Sequence, residues 1–122
     1  MFYVSSEITL QPSPFERMPL KQSPPSWFLY LIRTRTGTLY TGITTNVAQR
    51  LKAHVEGKQG AKYLRSKGPL ELVYQVEIGN KSVAYKAEYR LKRLTKRKKE
   101  TIVSEQPDNR SLLSLLNVEF DE

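Results

Sequence analysis

Five residues of this sequence have side chains that could act together on a polar bond: Tyr30, Tyr40, Arg50, His54 and Glu88. Arg50 and His54 stand four apart, which stacks them on one face of a helix. An arginine with a histidine above it is a phosphate clamp in charge and geometry, because the guanidinium fork matches phosphate oxygens. The same spacing also describes a plain surface pair. Glu88 is the one acid between Lys81 and Lys99, a stretch that holds nine basic residues. A lone carboxylate can ligate Mg²⁺, which often takes only one or two carboxylates and keeps its waters. It can equally be a helix-boundary acid neutralised by Lys86 and Arg90. A phenol titrates at about 10, so Tyr30 or Tyr40 helps deprotonate water only where cations or a metal-bound water favour the phenolate. Otherwise both are sheet aromatics with their hydroxyls at the edge.

Other chemistries are excluded by what is missing. One histidine and no cysteine rule out multi-histidine and thiolate metal sites. There is no phosphate-cradling P-loop pattern. A protease-like triad would have only His54 as base, with no cysteine nucleophile.

The elements that must position these residues follow from periodicity. Strand-forming aromatic and β-branched residues predict strands over about 27–34 and 38–43, joined by a turn at Arg35-Thr36-Gly37. Thr44-Thr45-Asn46 supplies caps for a helix over about 46–57, with Val47, Leu51 and Val55 as its buried stripe and Gly57 and Gly60 ending it. A basic loop with Lys62, Arg65 and Lys67 leads to a third strand, where Leu72, Tyr74, Val76 and Ile78 alternate with polar residues and Val73 breaks the pattern. Ser82 can cap a helix over about 82–94, whose stripe is Val83, Ala87, Leu91 and Leu94 and whose edge carries Glu88. Thr95 starts a shorter helix to about Val103, and Leu112-Leu113 with Leu115-Leu116 suggests one last amphipathic turn after Pro107. The order ββαβαα predicts an α+β fold, a small three-stranded antiparallel sheet flanked by helices.

Length and charge frame the whole. At 122 residues the chain is one domain with room for a modest core. Five of its seven prolines fall within residues 1–26, predicting a poorly ordered leader, with the folded domain at 27–104 and an acidic C-terminal tail at 105–122. The longest apolar run, Phe28 to Ile32, is far short of the roughly 20 residues that span a bilayer, and no secretory signal pattern opens the chain. A cytoplasmic protein is expected. The net charge of +8, gathered on the 81–99 stretch, is the footprint of a nucleic-acid partner, or else a solvated helix face.

Taken in order, Phe28-Leu29-Tyr30, Tyr40-Thr41-Gly42, Arg50, His54 and Glu88 resemble the core of the GIY-YIG nuclease superfamily. Leu39 to Thr45 and Gly60 to Arg65 resemble its small stand-alone bacterial members, the YhbQ-like group. The resemblance spans about residues 27–104. It implies a metal-dependent endonuclease that hydrolyses DNA phosphodiesters with structure-selective or low sequence specificity, or a catalytically weak nucleic-acid-binding module that keeps the fold. It implies Tyr40 as general base or its activator, Tyr30 as the residue orienting water and hydrogen-bonding within the site, Arg50 on the scissile phosphate and His54 in proton transfer or phosphate contact. Glu88 would bind a single Mg²⁺ or Mn²⁺, and Lys62 would be an auxiliary phosphate contact. Lys86, Arg90, Arg93, Lys96 and Arg97, with Arg65 in the loop, are the candidate nucleic-acid contacts, expected to position the backbone without reading sequence. The sequence departs from the family at Phe28-Leu29 and Thr41, and it has no clear counterpart of a late site asparagine.

Overall fold

The computed structural model describes residues 24–57, 64 and 66–119. Strands β1 (Trp27–Arg33), β2 (Leu39–Thr44) and β3 (Glu71–Gly79) form an antiparallel sheet in the order β2-β1-β3. The middle strand explains the continuous apolar run. Leu29, Tyr30, Leu31 and Ile32 are all buried because β1 is covered on both faces. Leu29 and Leu31 join Tyr74, Ile78, Val83, Ala87 and Leu91 in the larger core, and Tyr30 and Ile32 join Val47 and Leu64 on the other face. The turn closes through Gly37, whose φ of 91° is a left-handed conformation that favours glycine.

The break at Val73 has a physical cause. Leu31 pairs with Tyr74 while Ile32 pairs with Leu72, so Val73 is the extra residue of a β-bulge and the alternation shifts there by one. A second irregularity lies between Trp27 and Phe28, which pair with Gly79 and Glu77.

Among the described residues the helices are α1 (Val47–Glu56), α2 (Lys81–Lys92), α3 (Lys96–Glu105) and α4 (Asn109–Leu115). Asn46, Asn80, Thr95 and Asp108 cap them, each side chain accepting a backbone N–H three residues on. Asn80 therefore takes the place expected of Ser82.

Two expectations change. Val55 is 63% exposed, and His54 takes its place in the buried stripe. Seven residues from Val47 bring His54 back to within about 20° of it, whereas Val55 lies about 80° away. The stretch 105–122, expected as an acidic tail, instead carries α4 and puts Leu112, Leu113, Leu116 and Val118 into the larger core. Net charge misleads there because Glu105, Asp108 and Glu119 stand exposed while Leu112, Leu113 and Leu116 turn inward. Further contacts fasten the segment. The Tyr74 hydroxyl donates to the Pro107 carbonyl at 2.7 Å, Asn109 Nδ2 donates to Glu77 O at 3.1 Å, and the Arg90 guanidinium donates to the carbonyls of Leu116 and Asn117.

A charged clasp closes the end of the sheet. Arg33 at the end of β1 holds Glu100 of α3 with two hydrogen bonds of 2.7 and 2.9 Å, and Lys96 bridges Glu100 and the Gly37 carbonyl at 2.7 Å each. Together they pull the Glu100 carboxyl down to about 2, the Arg33 hydrogen bonds contributing most.

Candidate active site

The site grows from one close approach in the hairpin. Tyr30 on β1 is paired directly with Gly42 on β2. A Cβ at position 42 would meet the Tyr30 hydroxyl and would stand 2.5 Å from its Cζ. Glycine is required there because the phenol ring lies across the strand. Tyr40 stands two residues before Gly42 with its ring centroid 6.5 Å from that of Tyr30. From α1, His54 comes up to both: its Nε2 is 3.0 Å from the Tyr30 hydroxyl, and its ring meets Tyr40 edge-on at 5.7 Å.

Burial and charge set the protonation of this cluster. Tyr30 is 2% exposed. Its phenol is pushed up to about 12, first by burial and then by Tyr40, against the opposing pull of Arg50, which hydrogen-bonds it; the Glu88 charge adds to the rise. His54 is pulled below its ordinary value by burial and then by the Arg50 charge. At neutral pH the phenol is therefore protonated and the imidazole neutral. The Tyr30 hydroxyl and His54 Nε2 share their hydrogen bond in the direction that the imidazole tautomer sets. Tyr30 is a hydrogen-bonding hub at neutral pH rather than a base.

Glu88 lies on α2, near enough for its charge to act on the Tyr30 phenol. Its side chain is 17% exposed and pairs with Lys92, one turn on, at 3.3 Å. Among the described residues no three His, Asp or Glu side chains come together as a metal cage. The donor set fits an ion that takes one carboxylate from the protein and completes its shell with water. Lys92, half exposed, is the group that would have to give way.

A cleft of about 170 Å³ lined by Thr44, Thr45, Asn46, Gln49, Arg50 and Ala53 opens beside Arg50. A cavity of about 670 Å³ touches His54 alone of the five residues and otherwise lies against the end of α1, Arg35, Leu64 and the 66–70 turn.

The basic residues divide by occupation. Lys86 and Arg97 stand exposed on α2 and α3. Arg93 lies 5.5 Å over the Tyr89 ring. Arg90 and Lys96 have work inside the fold, on the carbonyls of Leu116 and Asn117 and on Glu100 with Gly37. Lys62 and Arg65 lie outside the described residues. Sequence reasoning missed Gly42 as a site residue, although a hairpin turning about Thr36 already pairs positions 30 and 42. Thr41, which the sequence marks only as a departure from the family, is buried with its hydroxyl unpartnered on the α2 side of β2.

A family model described as the GIY-YIG catalytic domain matches residues 26–101, which holds all five residues. The chain belongs to the GIY-YIG superfamily, within its UPF0213, YhbQ-like group. It is 57% identical over 95 residues to a UPF0213 protein of Yersinia enterocolitica, covering 78% of this chain and 95% of that one. To the UPF0213 protein YhbQ of Salmonella arizonae it is 56% identical over 90 residues, covering 74% and 89%. The solution structure of a UPF0213 protein from Bacillus halodurans is 36% identical and covers 77% of this chain and 99% of that one, with a TM-score of 0.45. Among the described residues no helix is long and apolar enough to cross a membrane.

Proposed function

We propose that this chain binds nucleic acid through the basic outer faces of α2 and α3 and seats one phosphodiester beside Arg50. The observation that carries the reading is the buried Tyr30 phenol, hydrogen-bonded to His54 and acted on by the charges of Arg50 and Glu88, on a chain with a net charge of +8. Phosphate contacts made this way position the backbone, so affinity falls steeply with salt and depends little on sequence.

A second reading goes further: hydrolysis of DNA phosphodiesters by a metal-dependent endonuclease. The Glu88 and Arg50 charges both acting on the Tyr30 phenol favour it, because a carboxylate and a phosphate-binding cation then share one neighbour. One Mg²⁺ or Mn²⁺ at Glu88 would supply Lewis-acid stabilisation of developing charge. In this reading Arg50 binds a non-bridging oxygen, Tyr30 fixes Arg50 and His54 through its hydroxyl, and neutral His54 or Tyr40 accepts the proton of the attacking water. The pairing of Glu88 with Lys92 favours the first reading, in which the carboxylate is structural and catalysis is weak or absent.

Binding and cleavage of duplex, branched and single-stranded DNA and RNA, with and without Mg²⁺ or Mn²⁺, test both readings. Wild type is compared with Arg50→Ala, Tyr40→Phe and Glu88→Ala. Binding weakened by Arg50→Ala supports the first reading, and absence of binding at low salt removes it. Metal-dependent products lost in Glu88→Ala and Tyr40→Phe support the second. Cleavage by Glu88→Ala at the wild-type rate refutes the site assignment.

A further inference from the structure

The outer face of α2 carries two exposed aromatics that the five-residue centre does not use. Tyr85 is 63% and Tyr89 57% exposed, and they stand four apart, so they form one ridge with a rise of about 6 Å between rings. Going round α2 from Glu88 at the core boundary, Tyr85 is turned outward by about 60° and Tyr89 by about 100°. The ridge therefore begins on the flank that Glu88 shares and leads away from it. Its surroundings are cationic: Lys92 lies beside Glu88, Lys86 is exposed on the same helix, and the Arg93 guanidinium rests 5.5 Å over the Tyr89 ring.

We propose that Tyr85 and Tyr89 are a stacking shelf for unpaired bases, so that the nucleic acid this chain prefers carries a single-stranded segment next to the phosphodiester at the Arg50 centre. The proposal rests on the nucleic-acid reading above and names its substrate class. Exposed rings set among lysines and arginines combine the two parts that grip a single strand: faces for bases and charge for phosphates. In a duplex the base faces are already stacked on their neighbours, so the rings would have little to hold. Charge complementarity selects a polyanion over a second copy of this chain, since two copies meeting here would bring the same basic helix against itself.

The test is fluorescence anisotropy of the full chain with a short single-stranded DNA and with the blunt duplex of the same sequence, in EDTA and over a range of salt. The variants are Tyr85→Ser/Tyr89→Ser and Tyr85→Phe/Tyr89→Phe. Taking about 5-fold per ring, the lower end for base–aromatic stacking, the double Ser variant loses about 25-fold in single-strand affinity. It loses less than about 2-fold on the duplex, and the double Phe variant binds as wild type, because stacking needs the ring and not the hydroxyl. The slope of log affinity against log salt stays unchanged, since no phosphate contact is removed. Unchanged single-strand affinity in the Ser variant overturns the shelf, as does an equal loss on both DNAs. Self-association of the wild type in sedimentation velocity that the Ser substitutions abolish also overturns it, making the ridge an interface between copies. If wild type binds neither DNA at low salt, the nucleic-acid reading itself fails, an outcome distinct from a wild type that binds both while the Ser variant matches it.

Discussion

Gly42→Ala is the sharpest probe of the site, because the whole centre is built on the Tyr30 ring lying across that glycine. The added methyl would stand 2.5 Å from Tyr30 Cζ and 3.0 Å from Cε2, and closer still to the hydroxyl. The ring has no free direction to swing. It is 2% exposed, Tyr40 and His54 flank it, and its hydroxyl shares a 3.0 Å hydrogen bond with His54. Overpacking of this kind costs about 1–3 kcal/mol, and losing the buried hydrogen bond adds about 1 kcal/mol. The sum, about 2–4 kcal/mol, lowers the midpoint of thermal unfolding by about 10–25 °C for a domain of this size. Tyr30→Phe in the same background recovers only part of the loss: it removes the nearest of the three contacts and leaves Cζ and Cε2 in place. A double-mutant cycle on unfolding free energies, read by circular dichroism, gives the coupling directly. If Gly42→Ala melts within about 2 °C of wild type, which is well under 1 kcal/mol, the ring does not lie where the hairpin register puts it and the centre described above is wrong.

Three further outcomes are expected. His54 is the sole histidine, so its NMR titration is unambiguous; its midpoint falls below 6.5 and rises in Arg50→Ala, because burial and then the Arg50 charge hold it down. The sign follows: the stability tied to neutral His54 is fully present above the unfolded-state pKa of about 6.5 and is lost as pH falls through the lower folded value. Glu100→Gln weakens the clasp to Arg33 and Lys96 and costs about 1 kcal/mol at neutral pH and low salt, a screened value for a carboxylate about a third exposed. Since Glu100 is held at about 2, that difference is present above about 4.5 and shrinks as pH falls toward 2, so denaturant melts of variant and wild type converge on acidification. Leu113→Ala, in the stretch that charge alone marks as a tail, destabilises the domain by about 2–5 kcal/mol in the same melts, because Leu113 is fully within the core.

The sheet was legible because strands carry their own signals, an apolar central run and a turn glycine, and because capping residues before α1 and α3 mark where the chain leaves it. Even the flaw in β3 was visible, since Val73 disturbs the alternation where the bulge falls. What could not be read is anything set by tertiary rotation. Helical rotation alone carries His54 to within about 20° of Val47 and Val55 away from it, but nothing local shows that the sheet meets His54 with a hydrogen-bonding phenol and a second ring. Arg90 and Lys96 look the same in sequence as Lys86 and Arg97. They differ only because carbonyls at the ends of α4 and of the β1–β2 turn lie within their reach. Charge counted along a chain measures attraction to a polyanion and says nothing about which cations are already committed.

The centre draws on both sides of the sheet, and the reason lies in the edge strand. Tyr30 belongs to the α1 face and α2 belongs to the opposite one, so a carboxylate on α2 should be separated from the phenol by a strand. Two facts remove that separation. The ring of Tyr30 is drawn outward over β2 by the missing side chain at Gly42, and β2 is the edge of the sheet. Glu88 sits at the boundary of the α2 core stripe rather than within it, so its charge reaches round that edge to the phenol. Arg50 and His54 arrive from one layer and Glu88 from the other, and the Tyr30 phenol is acted on by charge from both. A phosphodiester entering beside Arg50 would therefore meet a cation fixed by one layer and a carboxylate fixed by the other. The geometry of that meeting depends on Gly42 more than on any of the charged groups.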